Sequence, residues 1–434
     1  MTYTNTYIYI SFCIIVIGII FIILFSYVSG TIKSTIENEL MPSIDNGQLT
    51  YFKCAGKTLN DATLKGLQTT EFKKGASANT SSLYIPCDYN YIEIELAKLT
   101  PSNQTKYIYA IKGCDSLCGK DSLWRMLDLV YGREEASKIM PQTWIIDDEE
   151  DNGLDTYYQT HRVAQPAFIL KKNIQGKRGL KIADSLDMIY EIVSYDNAYK
   201  VAQLYIKNCY TINDRKLNIR LYVVISCFRK QIQWFIYNYG KCIYTNKKYD
   251  PVQSFIGNNI NDKEQHFTSY NLNTKQVYIT EKLPETLQDL ALFIDANQYA
   301  KLWAQICAKL SAIKKAFSGS LCNLESLAEQ ICFQLFGIDI IIDADTVCTG
   351  LQAQCNATGV THNSRSRLSP RGEMGLEFSV SGTMEPYVLE FNKGPEMTYK
   401  SPGDNTLKPQ LITDMLNMIT NKVGVTESNF TVID

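Results

Sequence analysis

Two acidic side chains and one amide lie in strand-like apolar runs near the end of the chain. In residues 387–392, Glu390 and Asn392 are two positions apart, so on a strand both side chains point to the same face. A buried carboxylate needs a partner, and Mg2+, which takes oxygen ligands, is a natural one. Asp339, in the run at 336–343, is a further candidate ligand. The pattern predicts a metal site and phosphate chemistry, and it fits equally well two core strands whose acids lie at exposed edges.

Basic residues and glycines that could contact phosphates occur earlier in the chain. Lys171 ends a strand-like run and is followed by a glycine-containing loop. Glycines let backbone amides approach phosphate oxygens, and lysines add positive charge. Basic glycine loops are also common as plain turns. The loop residues that would line a phosphate site are Gln175, Gly176, Lys177 and Gly179.

Three polar side chains alternate with apolar ones in another strand-like run. Lys216, Asn218 and Arg220 are each two positions apart, so a strand would align a cation, an amide and a second cation on one face. Such a row is often the solvated side of a sheet. Opposite Asp339 and Glu390 it would instead complete a charged cleft.

Two short segments complete the set of residues that could take part in chemistry. Residues 203–207 form an apolar strand whose backbone could contact the edge of a purine. Residues 266–270 are predicted to be a polar patch in a loop.

The composition sets limits on the class of protein. A chain of 434 residues that is 45% hydrophobic can bury a large core, divided between two or three subdomains. Its net charge of −2 argues against a nucleic-acid-binding surface. Thirteen cysteines, an odd number without Cys-x-x-Cys pairs, are poor support for a zinc site or a disulfide framework, and three histidines exclude a His-rich metal site.

The N-terminal segment has the properties of a membrane anchor. Residues 8–28 carry no charge, and a helix of this length spans roughly 32 Å, enough for a hydrocarbon core of about 30 Å. No basic residue precedes the segment and Lys33 follows it, which predicts that the large C-terminal part lies on the cytoplasmic side. Four Asn-x-Ser/Thr triplets would suit the opposite topology, although such triplets often occur by chance: Asn79, Asn103, Asn356 and Asn429.

The rest of the chain can be divided into segments by its local composition and by the spacing of its apolar residues. The apolar stripe between Tyr299 and Ile313 has helical spacing and predicts a core helix, and residues 407–423 predict a closing helix. We expect a transmembrane anchor at 1–29, a polar stalk with little structure at 30–84, an N-terminal subdomain at 85–165, a central subdomain at 166–250, and a C-terminal subdomain at 251–434 with an insertion at about 344–384.

Taken in order, these segments resemble the tubulin–tyrosine ligase-like family of ATP-grasp ligases, over roughly residues 105–420 with a gap at the insertion. Divergent members of this kind are known from large DNA viruses, which would place this one in a host or virion membrane. The segments that carry the resemblance are the lysine strand at 168–171, the glycine loop at 175–180, the adenine hinge at 203–206, the Lys-Phe-Asp-x-Arg strand at 216–220, the His-Leu-Thr-Asn segment at 266–269, and the two metal-bearing strands at 336–339 and 389–395.

The resemblance implies an α/β ATP-grasp fold, with a nucleotide cleft between two mixed α+β subdomains. It implies that ATP phosphorylates a carboxylate of a protein or peptide, tubulin being one possibility, and that the amine of an amino acid then attacks the acyl phosphate. The implied residue roles are Mg2+ ligands Asp339, Glu390 and Asn392; phosphate contacts Lys171, Lys216 and Arg220; adenine contacts Gln203, Tyr205 and Ile206; a further nucleotide contact at Asn218; a lid that includes Gln175, Gly176, Lys177 and Gly179; and catalytic residues Lys216, Arg220 and Glu390.

The chain departs from the family pattern mainly on the substrate side. Asn218 replaces an aspartate, and Ile243 stands where the family has an arginine facing the transferred groups, with Lys241 and Lys247 nearby. Ser269 replaces an asparagine. Three functions therefore follow from the sequence: a membrane-anchored ligase, a catalytically inactive nucleotide-binding scaffold displayed at a membrane, and a purely structural membrane protein that binds no ATP.

Overall fold

The structure is a computed structural model that describes residues 48–54, 58–146, 153–174, 179–269, 278–347, 381–401 and 403–434. The predicted membrane segment at 8–28 lies outside the described residues, as do Gln175, Gly176 and Lys177 of the predicted glycine loop. Within the described ranges, no helix combines the length and the apolar character needed to cross a membrane.

Eleven strands of the described residues form a central mixed sheet. Its main path runs β15-β11-β10-β13-β4-β3-β1-β2, while β9 and β12 pair with β10 and β14 pairs with β13. The bounds of its strands are β1 Thr50–Lys53, β2 Lys73–Lys74, β3 Leu83–Ile85, β4 Tyr107–Ile108, β9 Thr211–Ile212, β10 Arg215–Phe228, β11 Gln231–Tyr237, β12 Lys241–Tyr244, β13 Ile331–Val347, β14 Ser381–Lys393 and β15 Phe430–Ile433.

A second, antiparallel sheet lies next to the central sheet near Ile341 of β13 and Leu389 of β14. Its order is β5-β8-β6-β7, with bounds β5 Thr143–Ile145, β6 Phe168–Lys172, β7 Leu180–Ala183 and β8 Tyr199–Leu204. Ile182 of β7 shares a core cluster with Tyr205 and Ile206, which follow β8, and with Ile341 of β13, and Leu389 of β14 packs against that cluster. The mixed α+β architecture therefore places two sheets next to each other, and the predicted site residues lie on both.

Helices pack on both sheets. They are α1 Asp61–Thr69, α2 Ile92–Lys98, α3 Cys114–Cys118, α4 Lys120–Tyr131, α5 Arg133–Ile139, α6 Gly153–His161, α7 Leu186–Tyr195, α8 Lys263–His266, α9 Leu287–Phe293, α10 Ala296–Ala316 and α11 Asp404–Ile419. Of these, α6 and α7 share the core cluster of the second sheet. The predicted core helix is α10, which begins after the capping residue Asp295 and buries Leu302, Ile306 and Ile313. The predicted closing helix is α11.

The strands β10 and β13 are buried on both faces of the sheet. The side chains that alternate between the two faces are largely apolar on each of them. Leu217, Ile219 and Leu221 of β10 join one core cluster, which also contains the apolar stripe of α10. On the opposite face, Tyr222 and Val224 join the cluster that contains the apolar residues of α11. Arg220, two positions before Tyr222, therefore lies on the face that α11 covers.

The predicted stalk at 30–84 is wrong for its described part, residues 48–54 and 58–84. Strands β1 and β3 pair in parallel and extend the central sheet beyond β4, and α1 packs against α11. The segment is ordered because Tyr51, Leu67 and Phe72 are buried in the same core cluster as α11. The strands are too short and too interspersed with polar residues to show a period in the sequence.

Two other expectations are modified by the structure. Strands β13 and β14 extend into the predicted insertion, to Val347 and from Ser381, so the insertion itself is confined to residues 348–380, outside the described residues. Four of the cysteines form two disulfides, Cys54–Cys87 and Cys227–Cys322, despite the unpromising spacing.

The contact between α1 and α11 gives a stability prediction. A Cβ atom on Gly66 would lie 2.7 Å from Cβ of Ile412, so α1 approaches α11 more closely than a side chain allows. Gly66→Ala is expected to lower the free energy of unfolding by about 1–3 kcal/mol through overpacking, against a helix-propensity gain of about 1 kcal/mol. Urea denaturation measures the change. Gly319→Ala, at a glycine whose Cβ would meet nothing within 4 Å, is the control and should be neutral.

Candidate active site

A row of four charged side chains crosses the central sheet on one face. Lys241 on β12 is the cross-strand neighbour of Arg220 on β10, Arg220 is the neighbour of Asp339 on β13, and Asp339 is the neighbour of Glu390 on β14. Directly opposed residues in antiparallel strands share a face and have Cβ atoms about 5 Å apart. The register of four strands thus brings together three predicted site residues that are separated by up to 170 positions in the sequence.

Arg220 and Asp339 form a bidentate ion pair. The Nε and Nη2 atoms of Arg220 donate to the two carboxylate oxygens of Asp339, at 2.5 and 3.0 Å. Burial opposes the charge on Arg220, but the charge and hydrogen bonds of Asp339 outweigh it and hold the pKa of the guanidinium above its ordinary value. Gly337 makes room for this pair, because a Cβ there would lie 3.3 Å from Cδ of Arg220.

A β-bulge places Glu390 beside Asp339. Asp339 pairs with Glu390 while the next residue, Ile340, pairs with Val388, so Leu389 is an extra residue in β14. Asn392 Nδ2 donates to Oε1 of Glu390 at 3.2 Å, so the predicted acid–amide pair is in contact. Bulges change the direction of side chains next to active sites, and this one brings both carboxylates to the same place on the sheet face.

The two carboxylates are held in an electropositive setting. Burial and the neighbouring charge of Glu390 raise the pKa of Asp339, against the influence of Arg220. Burial also opposes ionisation of Glu390, but the charges of Lys120 and Lys171 overcome it and hold the pKa of Glu390 below its usual value. Two acids and three cations therefore share one partly buried cluster, in which the cations favour the ionised form of Glu390.

Lys171 enters this cluster from the second sheet. It lies on β6, is 4% exposed, and its Nζ is 3.5 Å from the carbonyl oxygen of Leu389 at the bulge. Burial lowers the pKa of Lys171 to about 8, and the charges of Lys120 and Lys216 act in the same direction, against Glu390. The predicted phosphate lysine therefore reaches across the gap between the two sheets to the predicted metal ligands.

Lys120 is a site residue that the sequence reasoning did not identify. It is the first residue of α4, and its buried Nζ lies 3.4 Å from Oε2 of Glu390. Its backbone N–H donates to Oδ1 of Asn173 at 2.9 Å, and its Nζ to the carbonyl of Ile174 at 3.3 Å. Lys120 thus links the start of the glycine loop to the acidic pair. Its only local signal, a lysine at a helix start, is too common to be informative.

Two buried acceptor atoms of the cleft have no hydrogen-bond partner among the described residues. They are Oε1 of Gln203, on β8, and Oδ1 of Asn218, on β10. The orientation of the Gln203 amide follows from its Nε2, which donates to Pro141 O at 3.3 Å and to Thr143 Oγ1 at 2.9 Å. Buried acceptors are normally satisfied, so each of these atoms suits a donor from a ligand, such as an amino or hydroxyl group.

Tyr205, Ile206 and Lys216 lie together at the other end of the cleft. Lys216 Nζ donates to the hydroxyl of Tyr205 at 2.9 Å, and both residues are buried. Burial lowers the pKa of Lys216. The segment 266–270 was predicted to be a polar patch in a loop, but its first residue is buried. His266 ends the short helix α8, is 1% exposed, and hydrogen-bonds to Tyr205.

At the Lys241 end of the row, three charged side chains form a buried ionic cluster. Lys241 Nζ lies 2.5 Å from Oδ1 of Asp404, the first residue of α11, and Lys408 Nζ lies 3.2 Å from Oδ2 of the same residue. Ile243, where the family has an arginine, pairs with Asn218 two positions along β12. A lysine therefore stands next to Arg220 on the sheet face, while Lys247 is exposed and bonded to Asp262.

The side chains present fit Mg2+. Asp339, Glu390 and Asn392 offer carboxylate and amide oxygens, the donors that a hard divalent cation prefers. Burial, and to a smaller extent the charge of Glu390, raise the pKa of Asp339, and a divalent cation bound between the two carboxylates would favour their ionised forms.

Comparison with known proteins places the chain in a family. A family model described as "Tubulin-tyrosine ligase family" matches residues 99–428. A probable beta-tubulin polyglutamylase of Tetrahymena thermophila is 24% identical over 348 residues, which is 75% of this chain and 24% of the relative. Probable tubulin polyglutamylase TTLL9 of Rattus norvegicus is 24% identical over 237 residues (52% and 40%), and probable tubulin polyglutamylase TTLL2 of Homo sapiens is 22% identical over 320 residues (71% and 45%).

This chain spans less than half the length of each of these relatives. The family match nevertheless covers most of the chain and contains every described residue of the site. The chain belongs to the tubulin–tyrosine ligase family.

Proposed function

We propose that this chain is an ATP-dependent ligase of the ATP-grasp type that adds an amino acid to a carboxylate of a protein or peptide. The observation that carries the proposal is the row of Arg220, Asp339 and Glu390 on one sheet face, with Lys171 reaching it from the second sheet. Carboxylates that could bind a metal ion therefore lie close to cationic side chains that could bind phosphates, and both sheets contribute residues to this group. Membership of the family supports the same reaction.

The reaction has two steps. An oxygen of the acceptor carboxylate attacks the γ-phosphorus of ATP, and the bond to ADP breaks, which leaves an acyl phosphate. The amine nitrogen of the amino acid then attacks the acyl carbon, phosphate leaves, and the nitrogen loses a proton to give an amide. Both steps place negative charge on phosphate oxygens. Catalysis of this kind depends on positioning and charge neutralisation, which Lys120, Lys171 and Arg220 would supply.

The nucleotide would lie along the cleft from Lys216 to Glu390. The unpaired acceptor of Gln203 suits the adenine amino group, and that of Asn218 suits a ribose hydroxyl. Asp339, Glu390 and Asn392 would hold Mg2+, which when bound neutralises and orients phosphate oxygens. Arg220, fixed by its two hydrogen bonds to Asp339, would hold the transferred phosphoryl group.

The decisive experiment is an ATP-consumption screen. The full-length protein is incubated with Mg-ATP, single amino acids and acidic peptides, and products are identified by mass spectrometry. Because the relatives are named tubulin polyglutamylases, glutamate and tubulin are the first co-substrate and acceptor to test. We expect ADP release that depends on both substrates and a peptide product whose mass increases by one amino-acid residue. Absence of ATP binding would overturn the proposal.

A second candidate function is a nucleotide-binding scaffold without ligase activity. The observation that favours it is Ile243, an apolar side chain on the sheet face beside the row, where the family has an arginine. Arginine and lysine are not interchangeable where two oxygens are held at once, so Lys241 does not automatically restore the function. Tight binding of Mg-ATP with no product from any amine and carboxylate in the screen would select this alternative.

Removal of the Lys171 charge is expected to weaken nucleotide binding. Hydrogen bonds to charged groups contribute about 1.5–3 kcal/mol, so Lys171→Met should raise the Kd for Mg-ATP by roughly 10- to 100-fold. Isothermal titration calorimetry measures it. The control is Lys172→Met: the neighbouring lysine contacts Asp196 and the ring of Tyr199, and its loss should leave the Kd unchanged. Equal affinities of the two variants would contradict the role of Lys171.

We also propose that residues 8–28 anchor the protein in a membrane with the ligase on the cytoplasmic side, where ATP is supplied. The support is the uncharged run and the lysine that follows it. The two disulfides of the structure favour the opposite side, because disulfides persist mainly in oxidising compartments. A cytoplasmic ligase therefore requires Cys54, Cys87, Cys227 and Cys322 to be thiols in the cell. Alkylation of thiols in intact cells, followed by mass spectrometry, tests the prediction. Oxidised pairs together with an exoplasmic C-terminal tag would reverse the orientation.

A further inference from the structure

Three buried side chains form a hydrogen-bonded chain that starts at the cleft and ends at backbone carbonyls. Lys216 Nζ donates to the hydroxyl of Tyr205 at 2.9 Å, and that hydroxyl is 3.1 Å from Nδ1 of His266. On its other side, Nε2 of His266 faces the carbonyl oxygens of Ser254 at 2.9 Å and Asn259 at 3.2 Å. We refer to Lys216, Tyr205 and His266 as the relay.

The direction of every hydrogen bond in the relay follows from its last member. Carbonyl oxygens only accept, so Nε2 of His266 must carry the hydrogen. In a neutral imidazole, Nδ1 is then the acceptor, and Tyr205 must donate its hydroxyl hydrogen to it. The lone pairs of the Tyr205 oxygen are consequently left for Lys216, whose ammonium group can only donate. The Tyr205 oxygen accepts from the ammonium group, and the tautomer of His266 fixes the direction of the Tyr205 hydroxyl hydrogen, whose other acceptor nearby, the carbonyl oxygen of His266, is farther away at 3.5 Å.

The surroundings of the relay keep it in this state. The rings of Tyr249 and Phe255 pack around Tyr205 and His266, with the Phe255 centroid 5.2 Å from that of Tyr205 and 5.1 Å from that of His266. Burial, and then the charge of Lys216, lower the pKa of His266 to about 4, so the imidazole is neutral at physiological pH. The ring cluster also excludes water that could replace the Tyr205 hydroxyl as a partner of the lysine.

Neighbouring backbone contacts hold both ends of the relay to the same strand. The backbone N–H of Lys216 donates to Oγ1 of Thr245, just beyond β12, at 3.1 Å. Two residues after His266, Thr268 forms a β-bridge with Thr245, and the N–H of Ser269 donates to the carbonyl of Tyr244. The segment 266–269 is therefore tied to β12, and its histidine is at a fixed distance from Lys216 on β10.

We propose that His266 is a positioning residue of the nucleotide site, which acts by accepting a hydrogen bond from Tyr205 and so holding in place the hydroxyl oxygen that accepts from the ammonium group of Lys216. This inference rests on the proposed nucleotide site, because Lys216 must meet the nucleotide for its position to matter. His266 itself is 1% exposed, and the Tyr205 hydroxyl lies between its imidazole and Lys216. Its effect reaches the ligand only through Tyr205 and Lys216.

The affinity of the full-length protein for Mg-ATP tests the inference in a set of variants. Tyr205→Phe and His266→Leu each break the relay and are expected to raise the Kd for Mg-ATP about tenfold, the effect of one buried hydrogen bond. His266→Asn, whose Oδ1 can accept from Tyr205 in place of Nδ1, should restore most of the affinity. The double variant Tyr205→Phe/His266→Leu should bind no more weakly than either single variant, because both changes remove the same contact.

Tyr244→Phe is the matched control. It also removes one hydroxyl from a buried tyrosine, but that hydroxyl donates to the carbonyl of Pro284 on the opposite face of the β10–β12 layer. It should leave the Kd unchanged while costing similar thermal stability. If Tyr205→Phe and Tyr244→Phe bind Mg-ATP equally well, or if His266→Asn binds as weakly as His266→Leu, the inference is wrong although the ligase proposal stands. If the wild-type protein binds no Mg-ATP, the proposed function itself fails.

A spectroscopic measurement on the wild-type protein tests the relay even if the His266 variants do not fold. The chain has three histidines, so long-range 1H–15N correlation spectra contain few imidazole signals. We expect one of them to show the neutral Nε2–H tautomer between pH 6 and pH 8, and to be perturbed in Tyr205→Phe but not in Tyr244→Phe. A charged His266, or the Nδ1–H tautomer, would overturn the inference.

Discussion

Glu390→Gln is expected to abolish ligase turnover while the protein remains folded. Glu390 is the member of the charged row that contacts Asn392 and Lys120 and has the charge of Lys171 beside it, so it is ionised and central to the predicted metal set. Glutamine keeps the shape but removes the negative charge that balances three cations. Loss of one preorganised electrostatic group typically lowers kcat by about 10²–10³-fold, and we expect at least that reduction. Phosphate or ADP release in the presence of amine and acceptor measures it.

The control for this prediction lies on the same strand. Glu385 of β14 is bonded to Lys309 and Gln305 of α10 and belongs to none of the proposed contacts. Glu385→Gln should therefore retain wild-type turnover. If Glu390→Gln and Glu385→Gln are equally active, the assignment of the metal site is wrong. If both are inactive because they unfold, circular dichroism and thermal denaturation will reveal it.

Arg220→Met is expected to destabilise the protein as well as inactivate it. Arg220 makes two hydrogen bonds with Asp339, whose next neighbour on the sheet is the carboxylate of Glu390. Without the guanidinium, two partly buried carboxylates lie side by side with one cation fewer. Removal of one partner from a fully buried pair costs about 3–5 kcal/mol. Because the side chains of Arg220 and Asp339 are 20% and 18% exposed, we expect a loss at the lower end, roughly 3 kcal/mol, in the free energy of unfolding. Urea denaturation at neutral pH measures the loss.

A second arginine of the same strand pair provides the comparison. Arg229, in the turn between β10 and β11, donates from Nε and Nη2 to a single carboxylate oxygen of Glu329, and both side chains are about two-thirds exposed. Exposed ion pairs contribute little, so Arg229→Met should change stability by less than about 1 kcal/mol. Addition of Mg2+ should recover part of the stability of Arg220→Met but none of that of Arg229→Met. Equal destabilisation of the two variants would show that the buried row does not hold the sheet together.

The local pattern of the sequence was sufficient to predict which polar side chains share a strand face in the candidate site. Strand periodicity is a property of a few consecutive residues, so the shared face of Glu390 and Asn392, and that of Lys216, Asn218 and Arg220, could be read directly. The core helix α10 was predicted for the same reason, because its apolar stripe repeats at helical spacing. The order of the motifs along the chain then pointed to the family.

Non-local pairing decided which of these residues meet. The contact of Arg220 with Asp339 and Glu390 depends on the register of three strands and on one extra residue, Leu389, at the bulge. A slip of one position would turn these side chains to the opposite face. Lys120 joins the site from a helix about fifty positions before the lysine strand, and its approach depends only on how α4 packs.

Burial, too, was decided by the tertiary structure. His266 has polar neighbours in sequence, which predicted an exposed loop, yet it lies among aromatic rings because the segment after it pairs with Thr245 at the end of β12. Residues 48–54 and 58–84 looked like a stalk, yet they extend the central sheet because α11 offers them an apolar face. The sequence by itself determined which side chains share a strand face. Only the tertiary structure decided which faces meet, since that depends on contacts between residues far apart in the chain.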